Sequence, residues 1–413
     1  MAPAPSSDPP GPTGAASPTP VPDAAEAAIQ AVTARLATQA VEGSSKKRKK
    51  TGDGDDSAVA DASGYRDYGR AFLRLGDPFT PLEEIIQHGI FVETTEEIDL
   101  PVMNEAAREQ HDRMSASWEI LWRLIGPAFR TEMILLHKQR KLRRRVCTVI
   151  NGGMVGSRGE DANTFKKHVI QYLHEDTTVA VEPVLNPATK IDRGWYPATQ
   201  ETYDAIENGS IRITADDFPR FLYKPDAVYN PLDVEEGILE GYLMIQMAKC
   251  NLQGPASALK PAGSHRGSRG NAAKMGAHAM TGRLVAYEAY QLYFSLSGID
   301  AWKQIDQYFD YKKFYWNIMD LFAGGNNVHV LERFNQEVFG DKAGLVDPAD
   351  VGAPGCDNEE SDMVRLKAQR AAKRIRLEAE AAAAATAATA AATAAASTPV
   401  DPAPSAIILA PSS

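Results

Sequence analysis

With 413 residues the chain is long enough for two average domains, but Pro, Ala and Ser crowd both ends and leave roughly one 280-residue globular unit. A formal net charge of −10 repels phosphate at long range, which excludes indiscriminate adhesion to nucleic acid and makes any such binding local. Cys147, Cys250 and Cys356 are odd in number and far apart, so a disulfide framework and a zinc module are excluded and a reducing compartment fits.

The first residues, Met1-Ala-Pro-Ala-Pro-Ser-Ser-Asp8, lack the charged and then apolar run of a secretory signal, so secretion is not expected. Residues 1–63 hold few large apolar side chains and predict a disordered arm, in which the Pro- and Gly-free island Ala24–Val41 predicts a transient helix. Tyr65, Tyr68, Phe72 and Leu75 recur at helical spacing, and a turn follows at Gly76-Asp77-Pro78. Thr80-Pro81-Leu82-Glu83 starts a helix that Gly89 is expected to end. Asn104–Ile125 predicts a longer helix with Met114, Trp118, Leu121, Trp122 and Ile125 as its stripe, broken at Gly126-Pro127. Ala128–Val149 resumes helix until Asn151-Gly152-Gly153 stops it, and Glu160-Asp161-Ala162-Asn163 caps the next one, through Thr164–His174.

Pro183, Pro187 and Pro197 mark an irregular segment, and Ile211-Arg212-Ile213 predicts a short strand after the Asn208-Gly209 turn. Asp217–Pro231 is aromatic and proline-rich and predicts an extended cover over the core. Helices are expected over Glu235–Leu252, Met275–Leu296, Tyr311–Phe322 and Val328–Phe339. Residues 346–413 predict a low-complexity tail with a basic helical segment at Met363–Leu377, and the Ala/Thr run Ala381–Ala396 is shorter than the ~20 apolar residues of a membrane span.

Three basic stretches stand out. Lys46, Lys47, Arg48, Lys49 and Lys50 are adjacent and offer what the acidic groove of a nuclear import receptor takes; a solubilising run balanced by Asp53, Asp55 and Asp56 is the alternative. Lys138–Arg145 packs six cations into eight residues, among them Arg143, Arg144 and Arg145. Such a run suits either phosphate contact or a solvated helix C-terminus favoured by the helix dipole. Arg266, Arg269 and Lys274 punctuate a glycine-rich loop that either wraps an anion with its amides or only joins two helices.

Other patterns carry less. Val146–Ile150 followed by Gly152, Gly153, Gly156 and Gly159 mimics a strand and phosphate loop but fits neither G-x-G-x-x-G nor G-x-x-x-x-G-K-[ST], so a flexible helix connector is the reading. Tyr287, Tyr290 and Phe294 share one helix face and read as core rather than as a base-stacking platform. His174-Glu175 lacks the second histidine of a zinc protease helix, and the carboxylates Asp216, Asp217, Asp233, Glu235 and Glu236 carry no acid/base pairing signature. No catalytic residue, metal ligand or cofactor is named.

From Gly159 to Gly340 a series of short motifs recurs in order. It runs Gly159-Glu160-Asp161, Arg193-Gly194-Trp195, Phe218-Pro219-Arg220-Phe221-Leu222-Tyr223, Tyr229-Asn230-Pro231 and Gly237-Ile238. It continues with Arg269-Gly270-Asn271-Ala272, Phe294-Ser295-Leu296-Ser297, Phe314-Tyr315 and Met319-Asp320-Leu321-Phe322. The series resembles an uncharacterised family of basidiomycete fungal proteins defined as a domain of unknown function. Gly254-Pro255-Ala256-Ser257 and Glu332-Arg333-Phe334 depart from its pattern. The resemblance implies a fungal origin and supplies no activity.

The expectation is therefore a mainly α chain: a single helical domain over residues 64–345 between long disordered arms. Its function reads as a non-catalytic nuclear binding module that engages nucleic acid or an acidic protein through local basic segments, with an import receptor as a partner and no membrane. A protein–protein scaffold with a self-associating tail, or an enzyme whose site is invisible to motifs, are the alternatives.

Overall fold

The computed structural model describes residues 24–44, 64–95, 103–176, 179–181, 184–190, 193, 201, 204–205, 208–260, 270–340, 369, 372 and 375–376, with side chains from 24–37 in the first segment. The chain is mainly α. Helices α1 (Ala24–Ser44), α2 (Tyr65–Leu75), α3 (Leu82–Thr94), α4 (Glu105–Ile125), α5 (Pro127–Leu135) and α6 (Arg140–His168) come first. After an irregular stretch come α7 (Tyr242–Gln253), α8 (Pro255–Ala258), α9 (Asn271–Met275), α10 (Gly282–Leu296), α11 (Tyr311–Asp320) and α12 (Val328–Val338). The strands among the described residues are the two-residue pair β1 (Ile305–Asp306) and β2 (Phe309–Asp310), antiparallel. No described helix is long and apolar enough to cross a membrane.

The chain forms two compact units: Met1–Trp195, Ile245–Trp302 and Ile318–Gly355 make the first, and Tyr196–Met244, Lys303–Asn317 and Cys356–Ser413 the second. The first unit is organised around α10, in which every residue from Gly282 to Ser295 is buried. A helix enclosed on all sides must satisfy its polar side chains internally. Tyr287, Tyr290 and Phe294 lie in this core, as their spacing predicts.

Helix α6 is the long strut of the first unit, and it differs from the sequence expectation. Asn151-Gly152-Gly153 does not stop it, and Glu160-Asp161 does not cap a new helix; both lie inside one unbroken element. The reason is the packing of α2 on α6. A Cβ on Gly153 would stand 2.0 Å from the Arg66 carbonyl oxygen, and one on Gly69 would stand 2.0 Å from that of Ile150. Two glycines let the helix backbones touch, and the burial of Phe72, Leu73, Val146, Ile150 and Met154 along the seam offsets glycine's low helix propensity. Gly89 behaves similarly. It lies within α3, and a Cβ there would sit 2.2 Å from the Trp118 indole, so α3 runs on to Thr94 where a stop is predicted.

Helix α1 also exceeds expectation. Ala28, Val32 and Leu36 recur at helical spacing and are buried, and α1 packs on α5 and α6. Arg35 fixes the docking: its guanidinium donates to both Glu132 oxygens, one at 2.8 Å, and to the Tyr65 hydroxyl at 3.1 Å. The island read as a transient helix is a packed one because its apolar stripe finds a partner.

Elsewhere the breaks follow local chemistry. Gly126, at φ 116°, ends α4, and the Asn104 side chain accepts from the Ala107 amide to begin it. The helix expected over Met275–Leu296 starts later: Met275 is the last residue of α9, which closes on Gly276 at φ 68°, and α10 begins at Gly282, where Thr281 accepts from the Leu284 amide. The segment from Glu235 to Glu240 is turns rather than helix, and Ile211-Arg212-Ile213 is not a strand.

In the second unit, the stretch expected to run extended over the core makes a 3-10 turn at Arg220–Leu222, with Leu222 and Tyr223 buried and Tyr223 bridged to Ile238. Asp216 anchors it, accepting from Lys313 Nζ at 2.5 Å and from Asn317 Nδ2 at 3.0 Å.

Candidate anion-binding face and the buried polar network

The basic run at Lys138–Arg145 spans the turn between α5 and α6, so its cations stand at a helix N-terminus. The reading as a solvated helix C-terminus is thereby corrected. The N-cap residue Gln139 makes no side-chain cap bond, and the first turn carries no acidic residue. Both the exposed amides and the helix dipole present positive charge here, so added cations repel it.

The run divides by helix face. Arg143 falls in register with Val146, Cys147 and Ile150 and is buried with them. Its guanidinium donates to the Leu136 carbonyl at 2.6 Å and to that of His137, closing the α5–α6 turn. Arg143 is a structural clasp, and its place among the anion-binding candidates is corrected on that ground. Lys138, Arg140, Lys141, Arg144 and Arg145 are exposed. Glu83 of α3 lies 3.1 Å from Arg144 and 3.5 Å from Arg140, and the hydrogen bond from Arg144 holds its carboxyl below the usual range. Among the described residues Glu83 is the one carboxylate paired with these five cations.

The remaining candidates lie elsewhere. Lys46, Lys47, Arg48, Lys49 and Lys50 and the loop cations Arg266 and Arg269 fall outside the described residues. Lys274 is exposed on α9, where its charge adds to that of Arg70 in lowering the Glu160 carboxyl. Arg140 and Glu160 are separated by about 30 Å of helix, so Lys274 and the α6 cations are not one site.

What the structure does assemble is a sealed polar network around α10. Arg74 Nε and Nη2 donate to the two oxygens of Asp161 at 2.8 and 2.7 Å, and the Tyr287 hydroxyl donates to Asp161 at 2.5 Å. Asn271 Nδ2 donates to the Asn251 carbonyl at 2.9 Å, and Asn251 Nδ2 donates to Glu288 at 2.9 Å. Arg193 donates to the Ser295 carbonyl at 2.9 Å and the Lys166 carbonyl at 2.6 Å, and Lys190 donates to the Phe294 carbonyl at 2.5 Å.

The electrostatics follow from enclosure. Burial drives the Glu288 carboxyl well above its ordinary value, against the hydrogen bond from Asn251, which favours its protonated form. Burial opposes the charge of Arg74, but Asp161 more than restores it. Burial also pushes the thiols of Cys147 and Cys250 up to about 12, the reverse of an activated nucleophile. Asp161, Tyr287 and Glu288 are almost wholly shielded from solvent, which leaves them a structural task. Among the described residues no group of three His, Cys, Asp or Glu side chains is placed to share a metal ion.

Sequence reasoning missed this network. A signal was present: Asp161 sits in helical register with Met154 and Phe165, and Glu288 with Leu284, Val285 and Leu292, where a charge must be paired or neutral. Several motifs carrying the family resemblance supply its members: Asp161 of Gly159-Glu160-Asp161, Arg193, Asn271 of Arg269-Gly270-Asn271-Ala272, and the Phe294 and Ser295 carbonyls. These motifs supply side chains and carbonyls that tie the core together.

No curated protein and no solved structure matches the chain. A family model described as a family of unknown function, DUF6698, matches residues 152–339, and this stretch is accordingly a domain of unknown function.

Proposed function

We propose that this protein is a non-catalytic nuclear binding module that engages nucleic acid through the cations at the start of α6. The observation that carries the reading is the exposure of Lys138, Arg140, Lys141, Arg144 and Arg145 at a helix end whose dipole opposes them, with Glu83 as their paired carboxylate. Arg143 already closes the turn, so the other five are not needed for packing. A polyanion laid across them relieves their mutual repulsion and releases its own counterions. The adjacent cations Lys46–Lys50 support a nuclear address, and the motif series supports a basidiomycete fungal origin.

The test is the salt dependence of binding to a short DNA duplex, read by fluorescence anisotropy on the full chain. For the native protein log K should fall linearly with log salt, by about 0.9 for each phosphate neutralised. Replacing Lys138, Lys141 and Arg145 together with Ala should flatten that slope by up to about 2.7 while leaving the urea midpoint where it was, because these side chains are exposed. An unchanged slope, or affinity indifferent to salt, rejects the reading. Imaging a tagged copy with Lys46–Lys50 replaced by Ala tests the nuclear part; undiminished nuclear signal removes it.

A further inference from the structure

The second unit carries an acidic, partly apolar surface that the reading above does not use. Residues 224–240 bound an open groove of about 710 Å³ whose lining includes Lys224, Asp226, Val228, Tyr229, Glu236 and Glu240. This stretch contains five carboxylates, Asp226, Asp233, Glu235, Glu236 and Glu240, and one cation, Lys224. Val228 and Leu232, four residues apart in the chain, are 86% and 84% exposed, an unusual cost for large apolar side chains.

The same unit includes the chain's own basic segment. Met363–Leu377 contains Arg365, Lys367, Arg370, Lys373, Arg374 and Arg376, no acidic residue, and the apolar Met363, Val364, Leu366, Ile375 and Leu377. One contact joins the two: the Val234 amide donates to Gln369 Oε1 at 3.1 Å, and Gln369 is partly buried.

We propose that the surface of residues 224–240 is a docking site for this chain's own segment Met363–Leu377, held by charge complementarity and by the exposed Val228 and Leu232. Tethering makes the contact intramolecular, with an effective concentration in the millimolar range, so modest intrinsic affinity keeps the groove filled. The docked segment withholds its cations from other partners and shields the apolar groove.

Hydrogen exchange on the full chain tests this. Gln369→Ala should speed exchange of the Val234 amide at least tenfold, and the combined change Lys367→Glu, Arg370→Glu and Lys373→Glu should do the same across residues 224–240 while α6 is unaffected. Asp226→Lys with Glu236→Lys should also expose the surface. Joining these two lysines to the three tail glutamates should restore protection, a rescue that a merely misfolded variant does not give. Protection should be the same after tenfold dilution of the native chain. Unchanged exchange in the tail variants overturns the proposal, as does failure of the charge swap to rescue. Protection lost on dilution assigns the contact to a second copy and overturns the intramolecular site.

Discussion

Helix α6 uses the same guanidinium–carboxylate chemistry at both ends, with opposite consequences. Near its C-terminal end Asp161 meets Arg74 in a bidentate pair at 2.7–2.8 Å, with both side chains at most 5% exposed. At its N-terminal end Arg144 meets Glu83 at 3.1–3.2 Å with more than half of the arginine in water. Sealed charges must be paired and become part of the core, whereas wet ones are screened, contribute little to stability and stay available to a ligand. The composition of a charged cluster therefore says less about its role than the face of the helix it occupies.

The largest test of that contrast is to unbalance the sealed pair. Asp161→Asn leaves Arg74 buried without its counter-charge and should cost about 3–5 kcal/mol in urea denaturation, against no measurable shift for the exposed cations. A loss below 1 kcal/mol would mean that water reaches the pair.

Next comes the crossing that brings Asp161 to Arg74. Gly153→Ala thrusts a methyl into the Arg66 carbonyl and should cost about 1–3 kcal/mol, whereas Gly152→Ala meets nothing within 4 Å and should add up to about 1 kcal/mol through helix propensity. Adjacent glycines with opposite signs in one thermal melt would establish the helix crossing, and equal signs would refute it.

The smallest effect lies in pH. The folded-state value of Glu288 is raised above its ordinary 4.5, so the folded protein holds a proton that the unfolded chain releases as pH climbs past 4.5. Stability from this residue is intact below that value and declines as pH rises toward the folded one. Glu288→Gln cannot ionise, so its Tm should match the native protein near pH 4 and exceed it increasingly as pH rises above 4.5. A gap that stays flat with pH would show that Glu288 is ionised in the fold.

Much of the architecture is legible in the residues. The stripes at Tyr65–Leu75 and Asn104–Ile125, the break at Gly126-Pro127 and the helix at Val328–Val338 follow from local periodicity and punctuation, and the structure keeps them. The misplaced helix stops share one cause. Gly89, Gly152 and Gly153 read as stops because glycine is a poor helix former, yet each lies within a helix; Gly89 meets Trp118 and Gly153 meets Arg66, distant partners that one-dimensional spacing cannot reveal. Arg143 read as one more cation in a run, although its register with Val146, Cys147 and Ile150 already placed it inward.

The sequence by itself determined the class of this protein: mainly helical, with its cations gathered into a few stretches of an acidic chain and its three cysteines unsuited to a disulfide scaffold. Tertiary structure alone decided which of those cations face water, that α1 docks rather than drifts, and that Asp161 with Tyr287, and Asn251 with Glu288, are sealed into hydrogen-bonded pairs on α10. Periodicity fixes which side chains share a face of a helix. What that face meets is set by contacts between residues far apart in the chain, and those contacts determine burial, and through burial the cost or availability of every charge.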